Sequence, residues 1–425
     1  MFYVGPENNN FDSLKVWNNN FQIMPNGNGI YGYASATQGA LIIPFPDDPL
    51  KYYLFTILPT VFGFGSNLHY SVIDMSLNGN TGDVTVKNNL ISNLYFTEKM
   101  EAVKHGNGRD WWLLTHEGYS VNNRFIKFLI TPFGIQGPYY QNIGTLINNG
   151  DILGQMKFSR NGNKLVLAGM GGSLNVFDFN RCTGMLSNTL NLSQVVAPMS
   201  GGFYGCTFSP NENILFVSKE LDSLLQYDLT AANVMATKNL LLLTANNCEN
   251  GQLLLAPDDK IYMATICGGS LPNNVFTNEN MNLTVINNPD VYGPGCNIAP
   301  NSFNLGGRRS FLGLPNIQNY NLGQWAASPC DTLTSIYEME DALQNIHVFP
   351  NPATNHFTIA YDFLNNRNGE FVLMNTFGKV VERQKLYGTF KSLFINTTKV
   401  PGGVYIYRIV LDDGGIKSGK LVLVQ

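Results

Sequence analysis

Short apolar runs alternate with short polar turns along most of the chain, and one unit of this pattern recurs. AVKHGNGRDWWLLTH from residue 102, QMKFSRNGNKLVLAG from 155, CTFSPNENILFVSK from 206 and LLLAPDDKIYMAT from 253 share a layout. In each, a turn rich in Pro, Asn, Asp and Gly separates two apolar runs, the pattern of a β-hairpin. A further strand pair follows several of these units, as in SLNVFDFNRCTGMLSN and SLLQYDLTAANVMATKN. LHYSVIDMSLNGNTGDVTVKN plays the same part behind LIIPFPDDPLKYYLFTIL. Ser159 to Ser209 spans 50 residues and Ser209 to Ala256 spans 47. Four strands in a repeat of about 40–50 residues predict the blades of a β-propeller. Counting through NSFNLGGRRSFLGLPNIQNY gives about five complete blades with partial pieces at each end, hence six or seven in all.

After Trp325 the pattern changes. AASPCDTLTSIYEMEDALQN combines turn formers with an acidic cluster of Glu338, Glu340 and Asp341, and reads as a linker over 327–345. From 346 to 425 come FTIAYDF, GEFVLMNTFG, KVVERQKLYG, KSLFIN, GVYIYRIVL and KLVLVQ. In FTIAYDF the residues Phe357, Ile359, Tyr361 and Phe363 share one face, the alternation of a half-buried strand. Strands at this spacing predict a small Ig-like antiparallel β-sandwich. The expected architecture is therefore all-β, a propeller over 1–326 followed by a sandwich over 346–425.

Composition supports this class. The chain has 54 Asn and 42 Gly among 425 residues, both suited to tight turns. Charged residues make up 13% and the net charge is −4, so no basic surface points to nucleic acid or an anionic membrane. No apolar run approaches the roughly 18–20 residues of a membrane-spanning helix. The start, MFYVGPENNNFDSLKVWNNN, has no basic region followed by an apolar core, so no leader peptide is legible. Six cysteines (Cys182, Cys206, Cys248, Cys267, Cys296 and Cys330) show no metal-site spacing, and no metal or cofactor is expected. Cys248 and Cys267 are close enough in sequence to be bridged in an oxidising compartment. Buried free thiols are the equal alternative.

Four pieces of the tail then carry a resemblance. VFPNP at 348–352, NTFGKVV at 375–381, PGGVYIYRIV at 401–410 and SGKLVLVQ at 418–425 closely resemble the C-terminal (type A) sorting domain of type IX secretion substrates in Bacteroidota. The residues that carry it are Pro350, Asn351, Pro352, Gly378, Lys379, Gly402, Gly403, Val404, Tyr405, Gly419, Lys420, Leu421 and Val422. Each has a structural use as well: the prolines hold an entry strand extended, and Gly378 with Lys379 fits a hairpin turn. GVYIYRIVL is apolar on both faces, and a two-sided strand needs cover on both. An exposed second face, or a free edge on KLVLVQ, is the expected docking surface. The resemblance implies recognition by the outer-membrane type IX translocon and its processing machinery, with cleavage in the linker and delivery to the cell surface or beyond. It also implies a leader peptide, so the expectation is that Met1 is not the native start and that an early piece of the propeller is missing.

Residues 1–322 resemble the N-terminal propeller of large, PKD-containing adhesin-like surface proteins, through VWNNNFQIMPNGNGI, YSVIDMSLNGNTGDV, VINNPDVYGPGCN and SFLGLPNIQNY. That family brings no catalytic residues, and no PKD module is legible here. A polar cluster of Glu101, Lys104, His105, Arg109, Asp110, His116 and Glu117 invites an acid–base reading. Alternation along DWWLLTH puts neighbouring side chains on opposite faces, so the structural reading weighs more and no catalytic residue is assigned. The long insertion ICGGSLPNNVFTNENMN at 266–282 is the better binding candidate, with Asn273, Asn274, Phe276 and Asn278 as ligand-loop residues. One ring of Trp111 and Trp112 is a possible sugar-stacking contact. Thr332, in the linker's DTL triplet, matches a short O-glycosylation pattern.

The expected function is an exported propeller that binds a glycan or protein ligand, with adhesion as its role. The rival is a secreted lyase or glycosidase using the central face. Converging carboxylates, histidine or tyrosine at the axial mouth would favour the rival, and Asn, Ser and backbone would favour binding.

Overall fold

The computed structural model describes residues 2–7, 10–33, 35–57, 67–118, 121–193, 202–221, 223–245, 247–267, 276–331, 346–361, 368–387, 392–412 and 416–424. The chain divides into two compact units, Met1–Cys330 and Asp331–Gln425.

The first unit is a β-propeller whose described residues form six antiparallel sheets in sequence order. The first has three strands, β1 (Phe2–Glu7), β2 (Asn10–Asn18) and β3 (Ile30–Tyr31). Five four-stranded sheets follow. They are β4 (Ala40–Phe45), β5 (Asp48–Ile57), β6 (Leu68–Asp74) and β7 (Asp83–Ser92); then β8 (Phe96–Lys104), β9 (Trp111–Glu117), β10 (Asn122–Thr131) and β11 (Gly134–Ile147). Next are β12 (Met156–Phe158), β13 (Lys164–Ala168), β14 (Leu174–Asn180) and β15 (Met185–Asn191). The last two are β16 (Phe203–Phe208), β17 (Ile214–Lys219), β18 (Ser223–Asp228) and β19 (Asn239–Leu243), and β20 (Cys248–Leu255), β21 (Ile261–Cys267), β22 (Asn282–Ile286) and β23 (Ile298–Asn304).

Apolar side chains fill the space between successive sheets. Phe55 and Leu41 pack with Trp111 and Phe128, Trp112 and Phe125 with Leu165 and Phe177, and Val166 and Leu174 with Phe208 and Leu215. The first strand of each four-stranded sheet lies innermost, so buried polar groups collect near the axis. The repeated turn has a local cause. Ser159 Oγ and Ser209 Oγ each donate to an Asn two residues on, and each accepts the backbone N–H that reopens the hairpin. The freed amides of Asn161 and Asn211 then donate to carboxylates of the next blade, Glu212 at 2.6 Å and Asp290 at 2.9 Å.

Ring closure differs from the expectation that NSFNLGGRRSFLGLPNIQNY forms blade strands. Only the part up to Asn304 pairs, and residues 305–325 run on without joining a sheet. That segment passes along the inner strands. Leu312 O accepts from Gln252 N at 2.8 Å, and Asn316 Nδ2 donates to Met100 O at 3.0 Å. Ile317 O accepts from Lys157, and Tyr320 Oη donates to Ile42 O. Gly251 is a glycine because a β-carbon there would collide with the Leu312 carbonyl. Trp325 N donates to Gly106 O, and a disulfide joins Cys182 to Cys330. The stretch expected to be linker from 327 is thus tied to the propeller as far as Cys330.

The second unit is a β-sandwich. One sheet orders β24 (His347–Phe349), β25 (His356–Ala360) and β28 (Ser392–Asn396). The other orders β27 (Val380–Leu386), β26 (Gly369–Asn375), β29 (Gly403–Leu411) and β30 (Ile416–Leu423). Their inner faces enclose Phe357, Ile359, Phe371, Leu373, Tyr405, Ile409, Leu421 and Leu423.

Candidate functional site

Two ends of the propeller axis can be told apart. At the end where the inner strands begin, Glu98 is the third residue of β8 and is 1% exposed. One of its oxygens accepts both the Thr37 N–H (2.7 Å) and the Thr37 hydroxyl (2.8 Å). Burial pushes this carboxyl up to about 7. The neighbouring Lys99 is fully buried, and its Nζ donates to the backbone carbonyls of Asp151, Ile152 and Leu153, while burial lowers it to about 8. Tyr204 on β16 is also buried: desolvation raises its hydroxyl, a hydrogen bond with Thr37 opposes this, and the negative charges of Glu98, Glu220 and Glu249 add to the rise. Glu220, just past β17, and Glu249, on β20, are half-buried. Burial and then the Glu249 charge push Glu220 up to about 7. Carboxyl groups from three blades thus surround one tyrosine. Glu98 is committed to Thr37; Glu220 and Glu249 are the more accessible pair. Among the described residues no three acidic, His or Cys side chains are placed to hold a metal ion.

At the opposite end a cavity of about 360 Å³ is walled by Val103, Phe158, Phe208, Leu254 and Leu255 and by the threaded residues Ile317–Leu322. Its polar floor is already satisfied. Lys157 Nζ lies 3.2 Å from Glu101 Oε1 and 2.6 Å from Ile317 O, and Gln318 and Gln38 also donate to Glu101. Burial raises the Glu101 carboxyl, opposed mainly by Lys157.

Between the ends, three glutamines bridge strands that are not neighbours in sequence. Gln38 Oε1 accepts Met156 N at 2.7 Å while its Nε2 donates to Met156 O at 2.9 Å. Gln155 accepts from Cys206 N and Leu253 N and donates to Leu253 O. Gln252 accepts from Leu314 N and donates to Thr37 O. Sequence reasoning missed these residues. The available signal was the Gly-Gln pair repeated at 154–155, just before β12, and at 251–252, within β20.

The candidates from sequence scatter. Trp111 and Trp112 are 1% and 6% exposed, and Trp112 Nε1 donates to Arg181 O at 2.9 Å. Both rings are packed between blades, so neither presents a face for a sugar. His105 binds Cys182 O through Nε2 at one end of its hairpin, whereas His116, lowered to about 4 by burial, closes the far end. Arg109 pairs with Asp110 and Asp47, and Glu117 pairs with Arg124. This cluster holds turns together and does not converge. Asn273, Asn274 and Thr332 lie outside the described residues. Phe276 is 55% exposed under the Arg309 guanidinium, and Asn278 opens the single helical turn α1 (Asn278–Met281), where it accepts from Asn282. Cys248 and Cys267 are bridged, and Cys206 and Cys296 are buried free thiols.

The sorting-motif residues come together on the four-stranded sheet of the sandwich and, for the Pro350–Pro352 segment, beside its β30 edge. Gly378 takes φ 79° in the β26–β27 turn, whose Asn375 Oδ1 accepts the Phe377 and Lys379 amides. Tyr405 Oη donates to Pro401 O at 2.7 Å, fixing the bend that Gly402 and Gly403 open. Asn351 reaches the last strand: Nδ2 donates to Lys420 O at 2.7 Å and Oδ1 accepts Val422 N at 2.9 Å. Ala353 continues this contact with Val422 O and Val424 N. The VFPNP segment therefore covers part of the β30 edge, which the sequence suggested was free.

Residues 347–424 match the model of the secretion system C-terminal sorting domain. No curated protein matches the chain. Among solved structures it is similar to a candidate 6-phosphogluconolactonase from Bacteroides uniformis, with 11% identity over 93% of this chain and 98% of that one at TM-score 0.42. A candidate enzyme of the same description from Bacteroides fragilis gives 12%, 93%, 97% and 0.42. The β-propeller domain of Myceliophteria thermophila Cps50 (Swd1) gives 10%, 60%, 88% and 0.31. No helix among the described residues is long and apolar enough to cross a membrane. The chain thus ends in a type IX secretion sorting domain, residues 347–424, which marks it as a secreted or outer-membrane surface protein.

Proposed function

We propose that this protein is a ligand-binding propeller of the cell exterior, carried there by its sorting domain and acting in adhesion. The observation that carries the reading is the contrast between the two axial ends. One is crossed by the chain's own residues 312–325, with Glu101 and Lys157 engaged with each other. The other gathers Tyr204, Glu220 and Glu249 at the mouth, where burial and the Glu249 charge push the Glu220 carboxyl up to about 7. A Glu220 carboxyl that titrates near neutral pH, with a second carboxyl and a phenol beside it, offers both donors and acceptors, the chemistry that hydrogen-bonds a polyhydroxyl ligand. Two disulfides support passage through an oxidising compartment. The linker and its processing, expected within 327–345, belong to the same proposal.

A secreted glycosidase remains the second reading, favoured by Glu220 and Glu249 lying together at the mouth, since a raised carboxyl beside a second one suits a general acid with a base or nucleophile. A glycan array with the full chain, repeated with Glu220→Gln and Glu249→Gln, tests both. Binding lost in the variants with no bound glycan consumed supports the binding module. Reducing-end release that disappears in either variant establishes the enzyme. Equal binding by wild type and both variants removes the mouth from the account.

A further inference from the structure

Resting on the delivery reading, we propose that the sorting domain docks through the outer face of its four-stranded sheet rather than by extending the edge of its last strand. The partner is a receptor of the secretion machinery that presents an apolar patch ringed by carboxylates.

The edge is guarded. Val422 gives its N–H to Asn351 and its carbonyl to Ala353, so even-numbered residues of β30 point their backbone outward and odd-numbered ones pair with β29. Asn351 and Ala353 occupy the outward groups at Lys420, Val422 and Val424. Near the start of the strand, Lys417 Nζ caps Ile346 O. Charged and covered edges of this kind resist the addition of another strand.

The face is open. Register places Val380, Met374, Ile406 and Lys420 in one row across β27, β26, β29 and β30, with Val404 and Val422 beside it. Val380, Val404 and Ile406 are 41%, 42% and 46% exposed, and Phe377 in the adjoining turn is 92% exposed. The inner-facing Tyr405, Ile409 and Leu411 of the same strand are buried, so the exposed apolar row does not serve the sandwich core. Arg408, Lys385 and Lys420 lie on the same face around that row, together with Arg383, whose guanidinium pairs with Glu370 at 2.6 Å. Residues 347–424 carry nine Lys and Arg against five Asp and Glu, whereas the whole chain is −4. A basic rim around an apolar centre selects an acidic rim on the partner.

The experiment expresses the full chain in a type IX secretion host and measures surface against periplasmic protein. Val404→Asp with Ile406→Asp should lower surface delivery at least tenfold, with an unchanged thermal midpoint. Val404→Ser with Ile406→Ser, milder for folding, should also lower it. Ser418→Pro blocks strand addition at an outward N–H and should stay within twofold of wild type. Normal delivery of both folded face variants, or loss of delivery only in Ser418→Pro, overturns the docking face. Normal delivery of a chain lacking 347–425 instead overturns the delivery reading beneath it.

Discussion

Gln155 holds Leu253 by both backbone groups: its Nε2 donates to Leu253 O at 3.0 Å and its Oε1 accepts Leu253 N at 3.2 Å. The same oxygen accepts Cys206 N, so one amide replaces a strand partner for two other blades. All these groups are buried near the axis, where an unmet donor or acceptor costs about 1–3 kcal/mol. Gln155→Leu should therefore lower the unfolding free energy by about 3–5 kcal/mol, measured by urea denaturation. Gln155→Glu keeps the acceptor and loses the donor, and should fall between.

That glutamine also marks what was legible. The hairpin turns at Ser159 and Ser209 close on residues two to five positions away, so local composition reveals them. Alternation along GVYIYRIVL likewise puts Tyr405 and Ile409 on one face and Val404 and Ile406 on the other, and the first pair is buried while the second is exposed. Gln155 meets Leu253 across 98 residues, and Asn351 meets Val422 across 71. No periodicity encodes such pairings. The threaded segment escaped for the same reason. Its composition matches that of blade loops, and only its position beside Gly251 and Met100 distinguishes it. The Glu98, Tyr204, Glu220 and Glu249 mouth is assembled from three blades and left no mark in any one window.

Glu98 makes stability depend on pH with a definite sign. Its folded carboxyl titrates near 7 against 4.5 unfolded, because burial disfavours the anion. Its contribution is complete below pH 4.5 and is lost as pH rises through 7. A shift of this size is worth about 3 kcal/mol. Both Thr37 bonds fall on one oxygen, which glutamine also supplies. Glu98→Gln should thus match wild type near pH 4.5 and exceed it at pH 8, read from thermal midpoints across that range.

The disulfides should contribute unequally. Cys182–Cys330 closes a separation of 148 residues and Cys248–Cys267 one of 19. Loop-closure entropy then makes the first worth about 1 kcal/mol or more beyond the second. Cys330→Ser should lower stability more than Cys267→Ser, and should raise amide exchange selectively over 312–325. Equal losses, or exchange spread evenly over the blades, would contradict this.

Gly251 gives the sharpest test of the threaded segment. A methyl group at this position meets the Leu312 carbonyl and backbone, neither of which can rotate away. Gly251→Ala must displace the segment or the inner strand, and with it the Gln252 N–H to Leu312 O bond. Overpacking of this kind costs about 1–3 kcal/mol. If residues 312–325 yield first, the variant becomes sensitive to limited proteolysis there while its blades keep their protection. Gly313→Ala supplies the control, because the nearest atom to its added methyl is Gln252 Oε1 at 3.9 Å, an ordinary contact. Equal protease resistance in both variants would mean that the segment does not lie against β20 in solution.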